Sequence, residues 1–223
     1  MIKVGVFDFD GTLVDSNGIK MEGFFRLAAR YPGGEPAMAE VIGTSGDRRS
    51  ILSAFSGSMA AAGIRLDVDE LVARYCGHVD PAVAATPEMQ GATDLLINLR
   101  HAGLRLYLNS ATPIDSLLTI LDRRGWTVLF DGIHGGPISK IEALHKISEA
   151  EHASGKEITV IGDGLDDAWA AELFGAQFIA VGSGSYAAAN PDAPMVPLHE
   201  VGAHVLALRP LPARAIDRGS APL

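Results

Sequence analysis

Asp8 and Asp10 stand one residue apart where a short apolar run, residues 2–9, ends in an Asp10-Gly11 turn signal. In a strand that spacing puts both side chains on one face, roughly 6–7 Å apart along the chain. Two carboxylates so close are costly unless a cation or a proton lies between them, and Mg²⁺, a hard oxygen-seeking ion, suits the pair. The same residues would also make an ordinary turn after a strand.

A second carboxylate group follows the run Ile158–Ile161, as Gly162-Asp163-Gly164 and then Asp166-Asp167. These acids could complete a metal site with Asp8 and Asp10, or could cap and charge the first turn of a helix. Ser110 follows the run Leu104–Leu108 and precedes a helix start, where a hydroxyl and free backbone N–H groups would cradle an anion. Lys140, in Gly135-Gly136-Pro137-Ile138-Ser139-Lys140, is a solvated surface lysine unless the fold brings it to the carboxylates.

These residues need strands that end together. Residues 2–9, 104–108, 158–161 and 178–181 are apolar runs of the kind buried in parallel sheets. Between them lie helical stretches with clear punctuation. Thr112-Pro113 puts a capping hydroxyl before a proline at the first helical position, and Gly103, Gly125 and Gly175 are helix stops. Alternating strands and helices predict an α/β doubly wound parallel sheet with a Rossmann-like core. From residue 17 the alternation stops. Residues 19–30, 48–62 and 67–75 show only helical patterning, with Asp69 and Glu70 in the first turn of the last. The expected organisation is a core of residues 1–16 and 84–208, an inserted α-helical cap of residues 17–83, and a Pro- and Ala-rich disordered tail, 209–223.

Asp8-Phe9-Asp10-Gly11-Thr12-Leu13 is similar to the first signature of the haloacid dehalogenase-like hydrolases. Ser110, Lys140 and Gly162-Asp163-Gly164-x-x-Asp167 resemble the other three signatures, in order, and the resemblance covers residues 1 to about 208. A helical insertion directly after the first signature resembles the cap of the phosphoglycolate phosphatase-like and β-phosphoglucomutase-like branch. The resemblance implies Mg²⁺-dependent hydrolysis of a small phosphomonoester through an aspartyl-phosphate. Asp8 would be the nucleophile and Asp10 the acid and base. Mg²⁺ would be held by Asp8, the Asp10 backbone carbonyl and Asp163. Ser110, the backbone N–H of Ala111 and Lys140 would bind the phosphoryl oxygens, and Asp167 would order Lys140 or metal-bound water from behind. True dehalogenases lack the second carboxylate, so Asp10 favours phosphate chemistry. Asn109-Ser110-Ala111-Thr112 departs from the usual Thr-Asn pairing of the second signature, and the cap matches only in placement and helicity.

Composition narrows the alternatives. Against 27 acidic residues the chain has 18 Lys and Arg, a formal charge of −9, which argues against nucleic acid as a partner. No apolar stretch is long enough for a membrane span. A single cysteine, Cys76, excludes an internal disulfide and suits a reducing cytoplasm. The partner that the resemblance implies is a small phosphorylated metabolite. The scattered histidines make no zinc pattern, and Gly182-Ser183-Gly184-x-x-Ala187, formally a dinucleotide fingerprint, leaves too little chain for a second βαβ unit. Discrimination among substrates would fall to the cap, where the segment Gly43–Arg49 reads as a loop leading into a helix and carries, in Arg48 and Arg49, the cap's one pair of adjacent cations. A phosphomutase on the same scaffold is the alternative function, with one of these arginines binding a second phosphate. A non-catalytic binding module would be expected to have lost a chemical residue, and none of the four signatures is broken.

Overall fold

A computed structural model describes residues 1–42 and 47–208. Gly43–Gly46, within the loop ahead of Arg48, and the tail 209–223 lie outside the described residues.

The strands are β1 (Val4–Phe7), β2 (Arg105–Pro113), β3 (Gly132–Gly136), β4 (Ile158–Gly162) and β5 (Gln177–Ala180). They form one parallel sheet in the order β3-β2-β1-β4-β5. The first strand is thus central, with all four residues buried, as its continuous apolar run requires. Val4 and Val6 pack with Leu144, Ile147 and Ala171 from α7 (Lys140–Glu151) and α8 (Leu165–Phe174) on one face. Phe7 packs on the other face with α5 (Ala92–His101), α6 (Ile114–Arg124) and α10 (Val201–Ala207), through Leu96, Leu99, Leu117 and Val205. A short helix, α9 (Ser185–Ala189), follows β5. The sequence predicts this doubly wound architecture.

Pairing then sets the site. Phe7 is level with Leu108 on one side and Ile161 on the other. The residues just beyond, Asp8, Asn109-Ser110 and Gly162-Asp163, therefore emerge together at the carboxyl edge. The chain leaves β1 for β2 on one side and reaches β4 on the other, so this edge is the topological switch point where such sheets bind ligands.

Among the described residues no strand lies between Phe7 and Arg105. Ahead of α5, four helices among the described residues lie in this interval: α1 (Asn17–Ala28), α2 (Gly34–Val41), α3 (Arg48–Ala61) and α4 (Val68–Ala85). They close around Phe24, Met38, Leu52, Phe55 and Tyr75, with the Phe24 and Tyr75 rings 4.3 Å apart. The sequence reading did not anticipate α2, because Pro-Gly-Gly-Glu-Pro reads as a loop. Gly33 takes the left-handed conformation just before it, and Pro36 falls in the first turn, where a missing N–H costs nothing. Helix α4 runs well past Tyr75, through Pro81, and packs on α6, so the expected cap boundary falls inside its last turn. Strand β3 was also unforeseen: its Gly-rich sequence has little strand character and is held by its pairing to Tyr107–Asn109. No helix among the described residues is long and apolar enough to cross a membrane.

Candidate active site

The Asp8 carboxylate is buried, with its backbone N–H bonded to Ile161 O at 2.9 Å. Lys140, the first residue of α7, reaches it with Nζ 2.8 Å from Oδ1, and reaches Asp167 Oδ1 at 2.6 Å and Asp166 Oδ2 at 3.1 Å. Asp163 lies on the other side, accepting from Asn17 Nδ2 at 2.9 Å, and Thr12 Oγ1 lies 3.5 Å from Asp8 Oδ2 and 3.4 Å from Asp163 Oδ1. Carboxylate oxygens of Asp8, Asp163 and Asp167 fall within 4.8 Å of one another.

One ammonium cannot neutralise these buried carboxylates. Burial, with the charges of Asp10 and Asp166, pushes the Asp8 carboxyl above its ordinary range despite Lys140. Burial and the Asp8 charge push Asp163 up to about 6 and hold Asp167 well above the usual carboxylate range. Lys140 stays charged: burial opposes its ammonium, but Asp8, Asp167 and Asp166 outweigh that and raise it. A cluster of hard oxygen donors with negative charge in excess fits a divalent cation.

Asp10 has a different environment. Its carboxylate accepts from Ser16 Oγ at 2.6 Å, Thr112 Oγ1 at 2.8 Å and, more weakly, Ser110 Oγ at 3.4 Å, and it is ion-paired to Lys20. Burial would raise it, but the Lys20 charge and these hydrogen bonds prevail and lower it. Thr112, expected as a helix cap, makes no cap bond to α6; it donates to Asp10 and accepts from Lys20 at 2.7 Å. Ser110 Oγ accepts the Thr112 N–H at 3.1 Å, and Ala111 is exposed beside it at the mouth of the site. The structure thus brings together Asp8, Asp10, Ser110, Ala111, Lys140, Asp163 and Asp167.

Arg48 and Arg49 part company. Arg48 is buried, with Nη2 3.3 Å from Asp80 Oδ1, Nη1 at 3.2 Å from Ser116 Oγ and 2.8 Å from Cys76 Sγ, and its guanidinium over the Tyr75 ring. Arg49 is solvent-exposed and pairs with an equally exposed Asp69 at 2.7 Å. A cavity of about 110 Å³ lies next to Lys20 and Thr112, the partners of Asp10, and is also lined by Phe24, Asp47, Arg48 and Tyr75. A wider cleft of about 1550 Å³ runs from it between α3 and α8.

Residues 6–181 match the family model described as haloacid dehalogenase-like hydrolase. The chain belongs to the haloacid dehalogenase-like hydrolases. Within the family it falls in the phosphoglycolate phosphatase-like branch and is a hydrolase of the phosphatase type. It is 32% identical to a phosphoglycolate phosphatase of Cereibacter sphaeroides over 182 residues, 78% of this chain and 82% of that protein. Among solved structures it resembles one from Haemophilus somnus described as a phosphoglycolate phosphatase, with a TM-score of 0.70 at 18% identity over 90% of this chain and 96% of that one. It also resembles one from Thermotoga maritima described as a β-phosphoglucomutase, with a TM-score of 0.71 at 20% identity over 92% and 99%. These two likenesses are of fold.

Sequence reasoning gave no site role to Thr12, Ser16, Asn17 or Lys20, and it took Thr112 for a helix cap. Ser16 and Lys20 are four residues apart at a helix start and so share a face, a signal that was available. The glycines set aside as a dinucleotide fingerprint serve this hydrolase by making room. A Cβ at Gly184 would lie 2.0 Å from Asp163 Oδ2, and one at Gly11 2.1 Å from the same atom.

Proposed function

We propose that the protein hydrolyses a small phosphomonoester, with Asp8 as nucleophile and Mg²⁺ as its cofactor. The observation that carries this reading is the division between two neighbouring carboxylates: Asp8 with Lys140 and the acidic cluster, Asp10 with Lys20, Ser16 and Thr112. Asp8 would attack phosphorus as the ester P–O bond breaks, giving an aspartyl-phosphate and splitting one displacement into two. Asp10, ionised beside Lys20 in the free enzyme, would have to take up a proton with the substrate to act as the acid. It would give that proton to the leaving oxygen, then take one from the water that attacks the phosphoryl group and frees Asp8 and inorganic phosphate. Lys140, Ser110 and the Ala111 N–H are suited to offset charge on the equatorial oxygens. Asp8, the Asp10 carbonyl and Asp163 would hold Mg²⁺, with Asp167 fixing Lys140 behind them; the bound ion would supply charge neutralisation at the phosphoryl group. Residues 17–83 would act as the cap over a core of 1–16 and 84–208.

The small cavity is lined by cationic Lys20 and Arg48 and by Asp47, whose carboxylate caps α3 through the Arg49 and Ser50 N–H groups, and it suits a compact anionic leaving group at its Lys20 side. The phosphoglycolate phosphatases to which the chain is 32% identical agree with that substrate class. Phosphate release from a panel of monoesters, with Mg²⁺ and after its chelation, tests the reading. Activity on small phosphorylated acids that chelation abolishes supports it, and undiminished activity after exhaustive chelation contradicts it.

A further inference from the structure

Lys20 stands where the helical segment meets the chemistry. Its ammonium is ion-paired to Asp10 Oδ2 and donates to Thr112 Oγ1 at 2.7 Å. The backbone beneath it is fixed, its N–H bonded to Ser16 O at 3.0 Å and its carbonyl accepting from the Tyr75 hydroxyl at 3.0 Å. An ammonium has three N–H donors, and these two partners use two of them. The side chain keeps 22% of its surface exposed and lines the 110 Å³ cavity.

The two cations the sequence pointed to are less available. Arg48 is engaged by Asp80, Ser116, Cys76 and the Tyr75 ring, and Arg49 pairs with Asp69 at the surface. Asp10 must touch the ester oxygen to act on it, so a group two or three bonds beyond that oxygen comes within reach of the remaining Lys20 donor. A neutral alkyl group there would strip water from an ammonium and return no hydrogen bond, a cost that a carboxylate avoids. The 110 Å³ cavity holds a small charged group next to Lys20, and any longer part of a leaving group would extend into the wider cleft.

We propose that Lys20 is the specificity-determining residue for the leaving group, selecting esters that carry a carboxylate two or three bonds from the ester oxygen. The proposal rests on the hydrolytic reading above and deepens it.

The test compares kcat/KM for phosphoglycolate with that for ethyl phosphate, similar in size but neutral in its leaving group, in wild type, Lys20→Met, Lys20→Gln and Lys20→Arg. The readout is the ratio between the two esters, which a general loss of activity does not move. Wild type should prefer phosphoglycolate by roughly 100-fold, and Met or Gln should cut that preference to within about threefold of unity, mainly through KM. Arg should retain part of it. A Met or Gln variant that loses activity on both esters in equal proportion would confine Lys20 to holding Asp10 and overturn the proposal, as would a wild-type enzyme with no preference. The hydrolytic reading is tested apart from this by p-nitrophenyl phosphate with Asp8→Asn: activity that survives there refutes that reading, whatever the ratio.

Discussion

Lys140 Nζ lies 2.8 Å from Asp8 Oδ1, an ion pair between two groups that are nearly withdrawn from water. Removing one partner of such a pair leaves the other uncompensated, at about 3–5 kcal/mol. In Lys140→Met the folded-state pKa values of Asp8 and Asp167, already raised, would rise further. A carboxyl raised on folding favours the folded state in acid and loses that advantage as pH rises through its folded value. The destabilisation should therefore be about 3 kcal/mol or more at pH 8 and clearly smaller at pH 5, by urea unfolding in the absence of divalent metal. Equal losses at both pH values would contradict this assignment of charge.

Asp163, held at about 6, gives the metal-free protein a pH signature of its own. The sign is the same: stability falls as pH rises from about 4 to above 6, by roughly 3 kcal/mol from this group. Asp10 is lowered, so its stabilisation is lost below the ordinary carboxylate range, outside this window. Mg²⁺ should restore stability at pH 7.5 and far less at pH 5, where it must displace a proton. Thermal unfolding with and without Mg²⁺ at the two pH values measures this, and a metal-induced shift as large at pH 5 would count against it.

Gly184→Ala tests the room left for Asp163. The added methyl would sit 2.0 Å from Asp163 Oδ2 and 2.6 Å from its backbone oxygen, so the carboxylate must move. The Mg²⁺ concentration for half-activation should rise tenfold or more, in line with the usual effect of disturbing the support of a metal ligand. Unchanged activation would show that Asp163 is not held for metal.

Arg48→Ala and Arg49→Ala should differ. Truncating Arg48 leaves Asp80 partly buried without its cation and should cost about 2–4 kcal/mol of stability. Arg49 forms an exposed pair with Asp69, whose loss should change stability and kcat/KM within error. Parallel denaturation and kinetics on both variants decide this, and a large kinetic loss in Arg49→Ala would restore it to the substrate.

The core was legible because its signals are local. Asp8, Asp10 and Asp163 each follow a buried apolar run, and sheet pairing brings such ends to one edge. Lys140 and Ser110 needed the family resemblance, since a lysine at a helix start and a serine after a strand are common in isolation. Thr112 was misread because a Thr-Pro helix start is a strong local pattern, and its tertiary partner Asp10 lies 102 positions away. Lys20 was overlooked for the same reason, as one basic residue on a helix that reads as solvated. The adjacent arginines drew attention as a pair, yet backbone geometry turned Arg48 into the segment and Arg49 out of it. Strand β3 and helix α2 escaped because Gly and Pro mask propensities that tertiary pairing and packing override.

The central claim is that the Asp8 carboxylate forms a covalent bond to phosphorus. The direct measurement is acid quenching of enzyme and excess substrate within one turnover, followed by peptide mass analysis. The account predicts one phosphoryl group on the peptide carrying Asp8, labile to hydroxylamine and absent from Asp8→Asn, whose turnover should fall by at least about 1000-fold. A wild-type enzyme that turns over with no trapped phosphopeptide, together with an Asp8→Asn variant retaining a tenth of the activity, would contradict it.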